Sequence, residues 1–365
     1  MRARLQLPQG ASCFALEEAR RRRAIEARVV SVFGGWGYQE IVPPLFDEAA
    51  TFDPSLASKL YTFTGREGTT LALRPDFTSL VAKIAAGRLG HVEAPLRLYY
   101  SGEVVRYEPP RAGRQSESHQ MGLEFLGGGG PAADLEILAI AIECLETLGV
   151  TEFVLAIGHA GVLTPLLDEA GLTSDDSRRA AVEGLSRRDP KAVGQALEGA
   201  KGSEAARRGL VGLAQDHGIR QSLDASRVAL AGTDRALLAL DELDLISQAL
   251  DEAGMEGRVT IDLSESRGLD YYTGLVFRIY GRGLGFDLGG GGRYDSLLGR
   301  FGRPMKAIGF MMSLDRLALL VERLGGAAPD EAPATNVQAP TLGGSVREAR
   351  VLRARGERVR FGGRP

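Results

Sequence analysis

The chain has 365 residues, 44% of them hydrophobic and 25% charged, with a formal net charge of -3. Such values belong to a soluble globular protein of two or three domains, with chain enough for a sizeable core. They exclude a strongly basic nucleic-acid binder, and no apolar run reaches the roughly 18 residues of a membrane-spanning helix. Cys13 and Cys144 lack metal-ligand spacing and fit a reducing compartment. The opening MRARLQLPQG holds no apolar signal core, so the expected location is the cytoplasm.

Residues 15–33 carry helical periodicity that runs into Gly34-Gly35, a C-cap signal. Strands are expected at 38–45, closed by Pro43-Pro44, and at 69–73, 96–100 and 103–107, with a helix at 77–88 between them. Short strands separated by turns imply a largely antiparallel sheet in an α+β fold rather than βαβ units. A helix at 133–148 and a strand at 153–157 lead into Gly158-His159. From about 161 to 250 the pattern is helical throughout, an inserted or appended layer. Strands return at 259–263 and 275–280, followed by Gly289–Gly292 and a helix from 308 to about 324. The core domain is therefore expected over 1–324. A Pro/Ala/Gly linker occupies 325–344, and a basic stub with seven arginines occupies 345–365.

Two segments point to a ligand. Arg267-Gly268-Leu269-Asp270-Tyr271-Tyr272-Thr273-Gly274 places an arginine, a carboxylate and two phenols around a turn, which suits a small zwitterion. Gly289–Gly292 followed by Arg293-Tyr294-Asp295 lets backbone approach whatever those groups hold. Arg106 and Glu108 are two apart and share a strand face, as a cross-strand salt bridge or as ligand contacts beside Arg111 and Arg114. Gln120, Gly122 and Glu124 share a face if 119–124 is a strand, and the glycine then marks either room for a ligand or an exposed polar face around a bulge. Asp76 stands before a helix, where capping is the default role of Asp. His159, after Gly158, reads as a capping histidine, and His91 and His217 as solvent residues. No lysine follows the glycine tracts, so they are not phosphate loops. Glutamates interleaved in the arginine-rich tail favour a solvated surface over nucleic-acid binding.

Taken in order, these segments resemble one family. Gly37-Tyr38-Gln39-Glu40-Ile41-Val42-Pro43-Pro44 resembles the first class II aminoacyl-tRNA synthetase motif, which builds a dimer interface. The stretch from Val105-Arg106-Tyr107-Glu108 to Glu124 resembles the second, and Ala307–Arg316 the third. The Arg-Gly-Leu-Asp-Tyr-Tyr and Gly-Gly-Arg-Tyr-Asp segments resemble the histidyl branch. The resemblance implies a mainly antiparallel sheet flanked by helices. Two families share this core: histidyl-tRNA synthetases, and the regulatory subunits that join a short-form ATP phosphoribosyltransferase catalytic subunit in the first step of histidine biosynthesis.

Three features favour the regulatory family. The chain offers a linker and stub where a synthetase carries an anticodon-binding domain; Asp76 stands where the synthetase has Glu; and Ile157–Leu163, with Arg188-Asp189-Pro190-Lys191, resembles that family's middle segment. The resemblance assigns Asp76 and Gln120 to the α-ammonium of histidine, Glu124 and Tyr272 to its imidazole, and Arg267, beside Tyr271, to its carboxylate. On the nucleotide side Arg106, Glu108, Arg114 and Arg316 persist. Ser118, however, replaces the aromatic that stacks on adenine, a contact worth about 1–3 kcal/mol, and Pro109 and Ser116 replace arginines. The implied protein is a non-catalytic, self-associating histidine sensor needing no metal or cofactor. The alternatives are a truncated synthetase-like enzyme that adenylates histidine and, on the hint of the basic tail alone, a modifying paralogue.

Overall fold

Strands in the larger part of the chain alternate large apolar with small or polar residues, which gives their sheet one packed and one open face. The computed structural model describes residues 7–8, 10–107, 115–215, 223–264, 271–326, 334–337 and 341–361. It divides into two units, Met1–Gly326 and Ala327–Pro365. In chain order the first holds α1 (Leu16–Gly35), β1 (Gln39–Glu40), β2 (Phe46–Glu48), β3 (Thr62–Thr64), β4 (Thr70–Leu73), α2 (Thr78–Ala86), β5 (Leu96–Val105), β6 (Glu117–Leu126), α3 (Pro131–Thr147) and β7 (Phe153–His159). A helical layer follows: α4 (Ala160–Glu169), α5 (Asp175–Ser186), α6 (Pro190–Ala196), α7 (Glu204–Gln215), α8 (Leu223–Ala229) and α9 (Asp234–Glu252). The unit closes with β8 (Val259–Ile261), β9 (Leu275–Gly281), β10 (Asp287–Arg293), β11 (Ala307–Ser313) and α10 (Leu314–Arg323).

Eight strands form one sheet in the order β1-β5-β6-β11-β10-β9-β7-β8. Only the edge pairs β1–β5 and β7–β8 are parallel. The sheet is thus mainly antiparallel, as expected, and β2, β4 and β3 make a separate antiparallel sheet. On the packed face Met121, Leu123 and Phe125 of β6, Phe310 and Met312 of β11 and Phe277 and Ile279 of β9 meet Ile25, Val29 and Phe33 of α1 and Ile137, Ile140 and Cys144 of α3. Opposite residues on paired strands share a face. The other face therefore carries Gln120, Gly122 and Glu124, with Gly309 and Ser313 from β11, Gly290 and Gly292 from β10, Arg278 from β9 and Tyr100 from β5. Part of that face is roofed by α2 and Leu297–Leu298, through Phe77, Val81, Tyr100 and Tyr294.

Several boundaries differ from those read in the sequence. α1 continues through Gly34-Gly35, and the residue in the left-handed conformation is Gly37 (φ 80), where Tyr38 N closes the turn on Phe33 O. The two strands expected at 96–100 and 103–107 are one, because Gly102 continues the ladder opposite Gln120. The glycine tract is a central strand, β10. A Cβ at Gly290 would meet Phe277 O at 2.4 Å, so the neighbouring strand holds the position to glycine. The helix expected from 308 begins only at Leu314. Ile308, Phe310 and Met312 alternate into the packed core as β11, and Ser313 then caps α10. In the second unit β12 (Thr335–Val337) pairs in parallel with β13 (Val359–Phe361), and α11 (Leu342–Ala354) connects them. β12 and the start of α11 thus fall inside the stretch read as linker.

Candidate functional site

β6 delivers Gln120 and Glu124 to the open face, and the neighbouring strands decide what surrounds them. Glu124 is only 1% exposed. Tyr294 donates to its Oε2, and Tyr100 donates to Oε1 at 3.4 Å. Burial raises the Glu124 carboxyl to about 7, against the lowering effect of hydroxyl hydrogen bonds from Tyr294, Thr78 and Tyr100, while the charge of Asp76 raises it further. Across β11, Gly309 exists for this carboxyl: a Cβ there would lie 1.8 Å from Glu124 Oε2. Gly122 has a different reason. Its Cβ would lie 2.6 Å from Tyr100 Oη, so the position is neither room for a ligand nor an exposed bulge: it is buried and filled by the chain's own phenol.

Asp76 does cap α2, accepting from Ser79 N at 2.9 Å. Burial raises its carboxyl, opposed by that hydrogen bond and by the charge of Arg106. Arg106 is anchored beside it, donating from Nε to Pro75 O at 2.6 Å. The neighbouring Arg74 is structural: it is buried, donates to Glu103 O and Pro43 O, and stacks on Phe77. Tyr271 stacks on Tyr294 with ring centroids 5.4 Å apart and meets Tyr272 edge-on at 5.2 Å. Burial, with the nearby Glu124 charge, pushes the Tyr271 phenol well above its ordinary value, so it stays neutral. Tyr272 lies over Gly292, whose added Cβ would sit 2.9 Å from its ring. Gln120 is 4% exposed.

The structure therefore brings Asp76, Glu124, Tyr271 and Tyr272 together, with Arg106 beside Asp76 and Gln120 two positions beyond Gly122 on the same face. Arg316 stands apart, at the start of α10. It binds Asp287 Oδ1 at 2.5 Å and Asp287 O at 2.6 Å, and Arg278 pairs with the same carboxylate at 3.4 Å. Glu108, Arg114 and Arg267 lie outside the described residues, as does Pro109. Three residues were missed in the sequence: Tyr100, Thr78 and Tyr294. Tyr294 had a signal, since it sits in the Gly-Gly-Arg-Tyr-Asp segment, and its neighbours there are structural. Arg293 makes a buried ion pair with Asp134 at 2.5 Å, and Asp295 accepts from Ala307 N. His159 caps α4 through Gly161 N at 3.0 Å, as its position predicts. A cavity of about 230 Å³ opens on the packed side, between α1, β6 and α10; Arg22 pairs there with Asp315, and His119 bridges Glu26 and Glu103.

Chemically, the site combines a buried carboxyl whose described partners are hydroxyls, a second partly buried carboxyl beside an arginine, and neutral phenols. It suits a small ligand bearing a cationic ring or ammonium group. The histidyl-tRNA synthetase family profile matches residues 11–317. The chain is 40% identical to a Moorella thermoacetica protein named ATP phosphoribosyltransferase regulatory subunit, over 97% of this chain and 91% of that one. It is 34% identical to a histidine–tRNA ligase of Methanocaldococcus jannaschii, over 87% and 76%. A solved structure of an ATP phosphoribosyltransferase regulatory subunit/histidyl-tRNA synthetase from Bacillus halodurans superposes with a TM-score of 0.84 at 28% identity, over 98% of this chain and 92% of that one.

Proposed function

The chain belongs to the histidyl-tRNA synthetase family, in its branch of ATP phosphoribosyltransferase regulatory subunits, and we propose that it is that family's non-catalytic histidine sensor. Its partner is a short-form phosphoribosyltransferase catalytic subunit, which supplies the chemistry. Histidine binds one conformation of the complex better than another and so shifts the partner's activity. By reciprocity, the partner changes histidine affinity by the same factor.

The observation that carries this reading is Glu124: a carboxyl 1% exposed whose described partners are hydroxyls rather than a cation. A buried carboxylate without a counter-charge is costly. An imidazolium ring supplies that charge, with Tyr272 beside it, while Asp76 and Gln120 take the α-ammonium and Arg267 the carboxylate. The nucleotide half supports a sensor rather than an adenylating enzyme. Ser118 offers no ring for adenine, and Arg316 is already engaged by Asp287. Exposed Val42, with Leu45 and Phe46 just after the segment, supports self-association through the first-motif segment Gly37–Pro44.

The test is calorimetric titration of the purified protein with histidine, beside histidine-dependent ATP–pyrophosphate exchange and co-purification with a short phosphoribosyltransferase. Saturable binding without exchange, and capture of the partner, are expected. Robust exchange would overturn the reading in favour of an adenylating enzyme, and absence of histidine binding would remove the sensor.

A further inference from the structure

The turn between α5 and α6 contains one of two non-glycine residues with positive φ among the described residues, Arg188 at φ 53. Asp189 N closes on Gly184 O at 2.9 Å and Arg188 N on Leu185 O at 2.9 Å. This is the Schellman arrangement, with Arg188 in the slot that glycine normally fills. A side chain is disfavoured in that conformation, so an arginine there calls for a compensating contact.

One such contact is Asp262, 74 residues later. Arg188 Nη2 lies 3.2 Å from Asp262 Oδ2, with side-chain exposures of 34% and 24%. Asp262 Oδ1 accepts from Ser264 N at 3.0 Å and from Ser264 Oγ at 2.5 Å. Asp262 N in turn donates to Ile157 O at 2.8 Å. The end of β7 is the junction of three things. Asp262 hangs on Ile157, the helical layer leaves the sheet at Ala160, and Ala160 N donates to Gly274 O at 2.8 Å, two residues after Tyr272. Arg188 therefore returns from the helical layer to clasp the same strand end that anchors the Tyr271–Gly274 segment.

We propose that Arg188 is a positioning residue: its ion pair with Asp262 ties the helical layer to the end of β7, to which the Tyr271–Gly274 segment is hydrogen-bonded through Gly274 O. Ligand occupancy and the placement of the helical layer are thereby coupled. The coupling to histidine rests on the function proposed above; the tether itself does not.

The test uses the full chain with Arg188→Gly, which removes the clasp and relieves the left-handed backbone, and Arg188→Lys, which keeps a charge at the same place. Amide exchange at Ala160, Asp262 and Ser264, the donors of these bonds, reads the tether without any ligand. Arg188→Gly is expected to raise exchange there at least tenfold without lowering the melting temperature, and Arg188→Lys to restore most of the protection. Histidine affinity is expected to fall about tenfold in Arg188→Gly. Unchanged exchange in Arg188→Gly overturns the tether whatever histidine does. Faster exchange with histidine affinity within twofold of wild type overturns the coupling. A melting temperature that falls along with affinity reduces Arg188 to a general stability residue. If the wild-type protein does not bind histidine, the sensor reading fails, and the exchange measurement still decides the tether.

Discussion

Glu124 is the residue on which the site's electrostatics turn. Its ordinary value is 4.5 and burial raises it to about 7 in the folded protein. Between those values the folded chain holds a proton that the unfolded chain has released. Unfolding free energy therefore falls as pH rises through that window, and the loss is complete above pH 7. The shift corresponds to about 3 kcal/mol. Glu124→Gln, which keeps the shape without the charge, should gain on the wild type by up to about 3 kcal/mol between pH 4.5 and 8 in urea unfolding. A stability difference flat with pH would mean the carboxylate is charged and fully compensated throughout. The same substitution should weaken histidine at least tenfold at pH 8 by calorimetry, because the amide cannot balance an imidazolium. Tyr294, whose phenol burial and the Glu124 charge push well above its ordinary value, remains a neutral donor across this range.

Among the elements, β10 and β11 hold the most information about the site. Gly309 faces Glu124 across the ladder, and a Cβ there would also meet Leu123 O at 2.4 Å. Gly309→Ala should therefore cost roughly 1–3 kcal/mol of stability and abolish detectable histidine binding, as thermal unfolding and calorimetry will read. A variant with wild-type affinity would show that β11 yields without disturbing β6. These two strands also mark where sequence reading stopped. Ile308 to Met312 alternates every second residue, yet it runs straight into the apolar stripe of α10, and a continuous apolar run fits helix as well as strand. Gly289–Gly292 carries no side-chain pattern at all. Its strand character comes from β9 and β11 on either side, which no local signal reports. By contrast Gln120, Gly122 and Glu124 were readable as one face, because period two survives in Glu117–Leu126. Tyr100 was legible as a strand residue, but its place over Gly122 depends on register between strands and is invisible in either strand alone.

At the scale of the whole molecule, the large unit carries the packed face, the open face and the helical layer within Met1–Gly326, while β12, α11 and β13 form their own unit. A chain ending at Gly326 should fold with a single cooperative melting transition and bind histidine within about twofold of the full chain, an equality within ~0.4 kcal/mol. A larger loss would overturn this independence of the first unit. Among the described residues no helix is long and apolar enough to cross a membrane. The bare strand β10 has one further consequence. The glycine backbone of β10 adds no chemical preference of its own, so specificity is written in the side chains around it, Gln120 and Glu124 of β6 among them. A change of ligand or task can then come from exchanging strand side chains, such as Ser118 of β6 or Asp287 of β10, while the backbone and its pairing stay as they are.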